Sequence, residues 1–457
     1  MYDLDTANPD RTDPAVTTGS AADDMDMTAL PADGRVFLML QGPHGPFFDR
    51  LARLLRAAGA QVWRCGFNAG DEFFWSDKPH FIRHEGSVLE WPDHLADLIR
   101  DKSVTDIVLY GDVRAIHDTA RSQAAAQGIR FHVFEEGYLR PYWITYERHG
   151  SNGNSALLGI GLDEMRAVLR EQINEVRRPP AHWGDMRQHK FYGAFYHFLI
   201  LIANGRYRAY HGHRAISVVQ EFRLNLRRFM LAPAYNLGRA LQWRRLRLSG
   251  WPYALVPMQL EHDSNFLGHS PFTKNAQFIQ VVIAAFARSA PRHHHLVFKA
   301  HPLEDGRAGN RAAIRAAAAA AGIPERVHYI RGGKLAEILS HARAVVTVNS
   351  TAAQQALWRG IPVKTLGRAV YEKPGLVSEQ SLEDFLQSPD APDPQAYRVF
   401  RDYLLQTSQV PGGYYAGRSR AHALRQVADM MLSAEDPYQA LASGRTLPRQ
   451  QLGDRDG

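Results

Sequence analysis

The apolar run Val36-Phe37-Leu38-Met39-Leu40 has no polar interruption, the pattern of a parallel strand buried on both faces. After Gln41-Gly42-Pro43-His44-Gly45-Pro46, apolar residues return at Phe47, Phe48, Leu51, Leu54 and Leu55, which is helical spacing. Strands are predicted again at 61–65, 106–110 and 130–134, with helices at 91–100 and 114–127. That alternation predicts a doubly wound domain over residues 35–165. A second array opens with a strand at Tyr253 to Leu260 and continues with strands at 295–300, 326–330, 344–348 and 362–366. Helices at 271–288, 307–321, 335–341 and 352–359 separate them, which predicts a second Rossmann-like domain over 251–390. Helices are expected over 391–440 and a polar tail over 441–457. The fold class is therefore α/β: two Rossmann-like domains facing a central cleft, the GT-B arrangement, with a helical insertion at 166–250.

Four stretches break the rhythm. Residues 1–34 are rich in Asp, Thr, Ala and Pro without apolar periodicity, the composition of a disordered arm. Its Asp24-Met25-Asp26 has metal-binding form but no fixed geometry in such an arm. The aromatic-rich segment 68–75 reads as a loop, either a lid over a core edge or one wall of a groove for sugar or lipid. Residues 145–155 read as a polar, turn-forming extension. Residues 166–250 read as helices with Arg, Tyr, Phe and Leu interleaved.

Charge sharpens the last of these. The formal net charge is +7, yet the first 34 residues hold eight Asp against one Arg. Residues 187–249 carry twelve Lys and Arg against Glu221 alone. A solvated connector and a membrane-surface element both fit that region, the second with Arg223, Arg227 and Arg228 beside Phe222, Leu224, Leu226, Phe229 and Met230. No nucleic-acid motif accompanies the basic excess. The single cysteine, Cys65, excludes an internal disulfide and fits a reducing compartment. No apolar run reaches the ~18 residues of a membrane span, and the acidic N-terminus is unlike a secretory signal. A cytoplasmic protein is expected.

Candidate chemistry collects at strand ends, where open α/β sheets bind ligands. Glu135-Glu136-Gly137 follows the strand at 130–134 and is either a solvated turn or a pair of acids in a crevice. Lys299-Ala300-His301-Pro302 ends another strand and offers groups for a leaving phosphate, with a core-capping histidine as the alternative. Asn349-Ser350-Thr351 stands where a helix begins, as an N-cap or an anion site. Asp263 is a further acid, with capping of the following turn as its alternative. Gln41 and Gly42 belong to a glycine-rich loop read as acceptor-side or interdomain. The His293-His294-His295 cluster has no partner at metal spacing.

In order and kind, the acid-acid-Gly, His-Pro and Ser-Thr signatures resemble those of bacterial sialyltransferases and their Kdo-transferring relatives. More narrowly, Gln41-Gly42-Pro43-His44-Gly45-Pro46-Phe47-Phe48, Glu135-Glu136-Gly137-Tyr138-Leu139-Arg140-Pro141 and Asn349-Ser350-Thr351 with Gly360-Ile361-Pro362-Val363 resemble the capsular polysaccharide β-Kdo transferases of the KpsS/LipB type. The resemblance implies CMP-Kdo as donor, retention of configuration, and Glu136 as the catalytic carboxylate with Glu135 or Asp263 as alternates. It implies Lys299, His301, Asn349, Ser350 and Thr351 on the donor side, and Gln41, Gly42 and Arg140 on the acceptor side. It also implies an anionic, phosphatidylglycerol-type acceptor at the inner face of the cytoplasmic membrane. No metal or other cofactor is expected. Capsule export machinery and a second Kdo transferase are the implied partners. Another CMP-sugar transferase and a non-catalytic export factor are the competing readings.

Overall fold

The computed structural model describes residues 32–170, 186–207, 209, 232–304 and 306–444. The continuous apolar runs become the inner strands of two sheets. The first contains β1 (Val36–Met39), β2 (Gln61–Gly66), β3 (Phe81–Arg83), β4 (Asp106–Tyr110), β5 (Arg130–Glu136), β6 (Trp143–Arg148) and β12 (Gln409–Pro411), in the order β12-β6-β5-β4-β1-β2-β3. β5, β4, β1, β2 and β3 are parallel, while β6 pairs antiparallel with β5, and β12 antiparallel with β6. The second sheet, β7 (Tyr253–Pro257), β8 (His295–Lys299), β9 (Val327–Ile330), β10 (Ala342–Thr347) and β11 (Val363–Thr365), is wholly parallel in the order β11-β10-β7-β8-β9.

β1 shows why its run carries no polar residue. Phe37 and Met39 share one core with Phe47, Phe48 and Leu51, whereas Leu38 packs on the opposite face with Trp91, Leu95 and Ile107. Successive side chains point to opposite faces, and here both faces are covered. The two domains also share a core, in which Tyr138, Leu139, Leu157 and Met165 of the first pack with Leu255, Val345 and Leu357 of the second. Lys373 reinforces the joint, its ammonium donating at 2.6 Å to the Leu157 and Ile160 carbonyls.

Several expectations need correction. Ala32 is fully buried and its N–H donates to the Ala58 carbonyl, so the end of the stretch read as an arm is built into the first domain. Segment 68–75 contains the short helix Ala69–Phe73, because the Asn68 side chain accepts the Asp71 N–H and caps it. The polar stretch from Thr145 to Arg148 is strand, not turn. Glu147 is buried with partners in Tyr138, Ser155 and Tyr438, and burial pushes its carboxyl up to about 8. Arg148 donates to the carbonyls of Met430, Ser433 and Ala434. The 391–440 stretch is interrupted by β12, and the helix Gly417–Leu432 packs against the first domain's helix Phe47–Ala57. Asp24-Met25-Asp26, Glu221 and the cluster at Arg223, Arg227 and Arg228 lie outside the described residues, as does most of the tail after 441. Cys65 is a buried strand residue, its thiol pushed up by burial.

Candidate functional site

β5 ends on Glu135 and Glu136, whose side chains leave opposite faces of the strand. Glu136 accepts a hydrogen bond from the Tyr110 hydroxyl at 3.3 Å, and the Tyr414 hydroxyl donates to the Glu135 carbonyl at 2.7 Å. Glu135 accepts the Glu136 N–H at 3.0 Å. Burial, followed by repulsion from Glu136, Asp263 and Asp112, pushes the Glu135 carboxyl up to about 7, against the lowering effect of that N–H. Gly137 then lets the chain fold back: a Cβ there would stand 2.3 Å from the Trp143 carbonyl oxygen.

Past that glycine, the chain crosses to the second domain. The Tyr138 carbonyl accepts from the Gln354 side chain at 2.9 Å. Tyr138, Leu139, Arg140 and Trp143 form one wall of a cavity of about 510 Å³. The opposite wall is built from the ends of β7, β8 and β10, with Lys299, His301, Ser350, Thr351, Trp358, Arg359 and Arg401 among its residues. Arg140, Lys299, Arg359 and Arg401 bring four basic side chains to the space, and no carboxylate lines it among the described residues. Such a cavity is large enough for a nucleotide-sized ligand and selects for negative charge. The Arg401 guanidinium lies 5.4 Å from the centre of the exposed Trp358 ring, a cation-π contact that holds both at the rim.

The residues singled out by sequence divide accordingly. Arg140, Lys299, His301, Ser350 and Thr351 come together around the cavity, so Arg140 faces the strand ends read as the donor side. His301 accepts the Leu303 N–H on Nδ1 at 3.1 Å, which places the ring proton on Nε2. Ser350 caps the turn Thr351–Ala353 through the Ala352 N–H. Asn349 does not line the cavity. It is buried, and its side chain joins Gln259, Asn265 and the His269 carbonyl, bracing the loop after β10. Asp263 caps the helix Ser264–Gly268, and burial raises its carboxyl against the pull of the Asn265 N–H and the Arg140 charge. It therefore sits with Glu135 and Arg140 at the domain junction. Gln41 bonds Asp71 and Arg114, while Gly42 lies under Phe48. Neither lines the cavity. Among the described residues, no group of three His, Cys, Asp or Glu is arranged to hold a metal ion.

Sequence reading missed Tyr110, Tyr414, Trp358, Arg359 and Arg401. Trp358 and Arg359 carried a usable signal, a large aromatic and a cation immediately before Gly360 at the end of a helix that starts at a strand end. Tyr414 and Arg401 carried none, since they reach the site only through the return of the C-terminal segment.

Residues 105–415 match the family described as capsule polysaccharide biosynthesis protein. The chain belongs to that capsule polysaccharide biosynthesis family. Among its relatives is the Escherichia coli capsule polysaccharide export protein KpsS, 32% identical over 387 residues, covering 84% of this chain and 97% of that protein. The capsule polysaccharide modification protein LipB of Neisseria meningitidis serogroup B is 30% identical over 397 residues, covering 83% and 91%. Among solved structures, the Thermosulfurimonas dismutans KpsC β-Kdo 2,7 transferase is similar over 86% of this chain and 99% of its own, at 12% identity and a TM-score of 0.41. The family match spans β4 to Tyr415, and so contains the acid pair, the cationic cavity and the returning strand.

Proposed function

We propose that this capsule-family protein is a retaining glycosyltransferase that moves Kdo from CMP-Kdo to a phosphatidylglycerol-type lipid, starting the Kdo linker of a capsular polysaccharide. The observation that carries this reading is the cavity lined by the basic side chains of Arg140, Lys299, Arg359 and Arg401, with no carboxylate among its described lining residues, whose first wall begins at Tyr138, two residues after the acid pair that ends β5. CMP-Kdo brings a phosphate and a sugar carboxylate, and both match that lining. His301 Nε2–H and Lys299 stabilise charge on the departing phosphate.

The donor is already β-linked, so a β product requires retention and two displacements. In the first, a Glu136 oxygen bonds to the anomeric carbon while the bond to the CMP phosphate oxygen breaks, and CMP leaves with the electron pair. In the second, the acceptor hydroxyl oxygen bonds to that carbon, its proton passes to Glu135, and Glu136 is released as carboxylate. A Glu135 carboxyl titrating near 7 is half ionised at neutral pH, which suits it to take that proton. The proposal needs no metal, places the protein at the inner face of the cytoplasmic membrane, and gives it a second Kdo transferase and the export machinery as partners.

The name of the Escherichia coli relative favours a second reading, a capsule export factor that binds a lipid-linked glycan without catalysis. A panel of CMP-sugars incubated with purified protein and a fluorescent lysophospholipid, followed by mass spectrometry, separates the two. A mass increase of one or more Kdo units supports the transferase. Addition of sialic acid instead indicates another CMP-sugar transferase, and an unmodified acceptor that stays bound supports the export factor.

A further inference from the structure

Among the described residues, the helix Met186–Ala203 leaves one long face unpacked. Phe191, Phe198, Leu201 and Ile202 are each at least half exposed, and Phe73 of the neighbouring helix Ala69–Phe73 extends the stripe. The patch is continuous, since the Phe195 ring lies 5.2 Å from Phe73 and stacks on Phe191 at 6.0 Å. Soluble proteins rarely expose contiguous apolar surface of this kind without using it. Charge identifies its partner. Arg187 and Lys190 flank the stripe at one end and Arg206 at the other, and residues 186–207 contain no Asp or Glu. An apolar stripe with a rim of one sign matches a bilayer carrying anionic head groups. Among the described residues no helix is long and apolar enough to cross a membrane, so this one would lie along the surface.

The inner face of the same helix is bolted to the first domain by polar contacts. The Tyr196 hydroxyl donates to Asp71 at 3.0 Å and accepts from Asn68 at 2.7 Å, while the Asn204 side chain accepts the Ala69 N–H at 3.0 Å. Tyr207 donates to Glu72 at 2.8 Å. The helix thus keeps its place without using its apolar outer face. His189, also on the inner side, stacks on Tyr415 at 4.3 Å. Tyr415 neighbours Tyr414, which holds the Glu135 carbonyl. A helix is about 10–12 Å across with its side chains, so the stripe and the acid pair stand on opposite sides of one helix and its aromatic lining.

We propose that the outer face of helix Met186–Ala203, with Phe73, is the surface on which an anionic lipid bilayer docks, presenting a lipid head group to the Glu136 side of the site. The docking surface stands on its own; the delivery of an acceptor rests on the transferase reading. The test is flotation of the full chain with vesicles of phosphatidylglycerol and phosphatidylcholine, or of phosphatidylcholine alone, at low and high salt. The parent should float best with phosphatidylglycerol at low salt. The triple variant Phe198→Asp, Leu201→Asp, Ile202→Asp should lose binding by at least about tenfold, since each change removes an inserted apolar side chain. Circular dichroism reports whether it folds. The pair Arg187→Glu, Lys190→Glu, which leaves the apolar stripe intact, should lose binding only to vesicles containing phosphatidylglycerol. A parent that does not float, or variants that float as well as the parent, overturns the proposal. So does a parent that ignores vesicles but self-associates through the stripe, which would make it a protein contact. A parent that floats through the stripe yet leaves CMP-Kdo intact keeps the surface and removes the transferase reading. Transfer to a water-soluble glycerol phosphate acceptor by a protein that never floats does the reverse.

Discussion

Glu135→Gln replaces a carboxyl that its surroundings hold near neutrality with a side chain that cannot ionise but can still accept the Glu136 N–H. In the unfolded chain the group releases its proton at about 4.5, and in the folded chain at about 7. Between those values the native state holds the proton that the unfolded state has lost, so stability falls as pH rises through the window and levels off above about 7. At about 1.4 kcal/mol per pH unit, the full effect is roughly 3 kcal/mol. Residual solvent contact at the strand's end lowers it to about 2 kcal/mol. Burial accounts for the largest part, and repulsion from Glu136, Asp263 and Asp112 for the remainder. Urea unfolding of parent and variant from pH 5 to pH 8, followed by tryptophan fluorescence, measures the difference directly. Glu147 is shared by both proteins and cancels. The variant should gain about 2 kcal/mol relative to the parent across the range. Parallel stability profiles would refute the placement of Glu135 in a desolvated, acid-crowded site.

Glu136→Gln, nearly isosteric and still able to accept from Tyr110, should lower transfer at least ~10³-fold without moving the melting temperature. Near-parental turnover would shift the nucleophile to Glu135 or Asp263. His301→Ala should lower turnover roughly 10²- to 10³-fold, and a loss of thermal stability alone would make the residue a loop cap. Gly42→Ala would set a Cβ 2.6 Å from the Phe48 ring and should cost about 1–3 kcal/mol, read as a lowered melting temperature. An unchanged melting temperature would show that Phe48 yields freely.

The two sheets were legible because their inner strands are buried on both faces and read as unbroken apolar runs. Glu135-Glu136-Gly137 was legible for the same reason, since a carboxylate directly after such a run must lie at a strand's end. β6 was not. Thr145, Glu147 and Arg148 look like solvated turn residues, and only tertiary contacts from Tyr138, Tyr438 and the carbonyls around residue 433 make burial of Glu147 and Arg148 affordable. β12 is three residues long, too short for any period to show. The cationic cavity was half legible. Lys299 and His301 sit at a strand end, but Arg401 is placed by the packing of helix Ala396–Gln406 on Leu162–Arg170, which no local pattern announces.

The return of the chain to its first sheet makes synthesis itself part of the site's assembly. Tyr414 and Glu135, joined by a hydrogen bond, are 279 residues apart in sequence, so the acid pair stays unsupported while the ribosome is still making the second domain. A nascent or truncated chain ending before β12 has strand ends bearing Lys299, His301 and Ser350, but leaves the β6 edge unpaired and the Glu135 carbonyl without its tyrosine. Premature termination therefore yields a chain whose basic strand ends are in place while the acid pair beside them is unfinished.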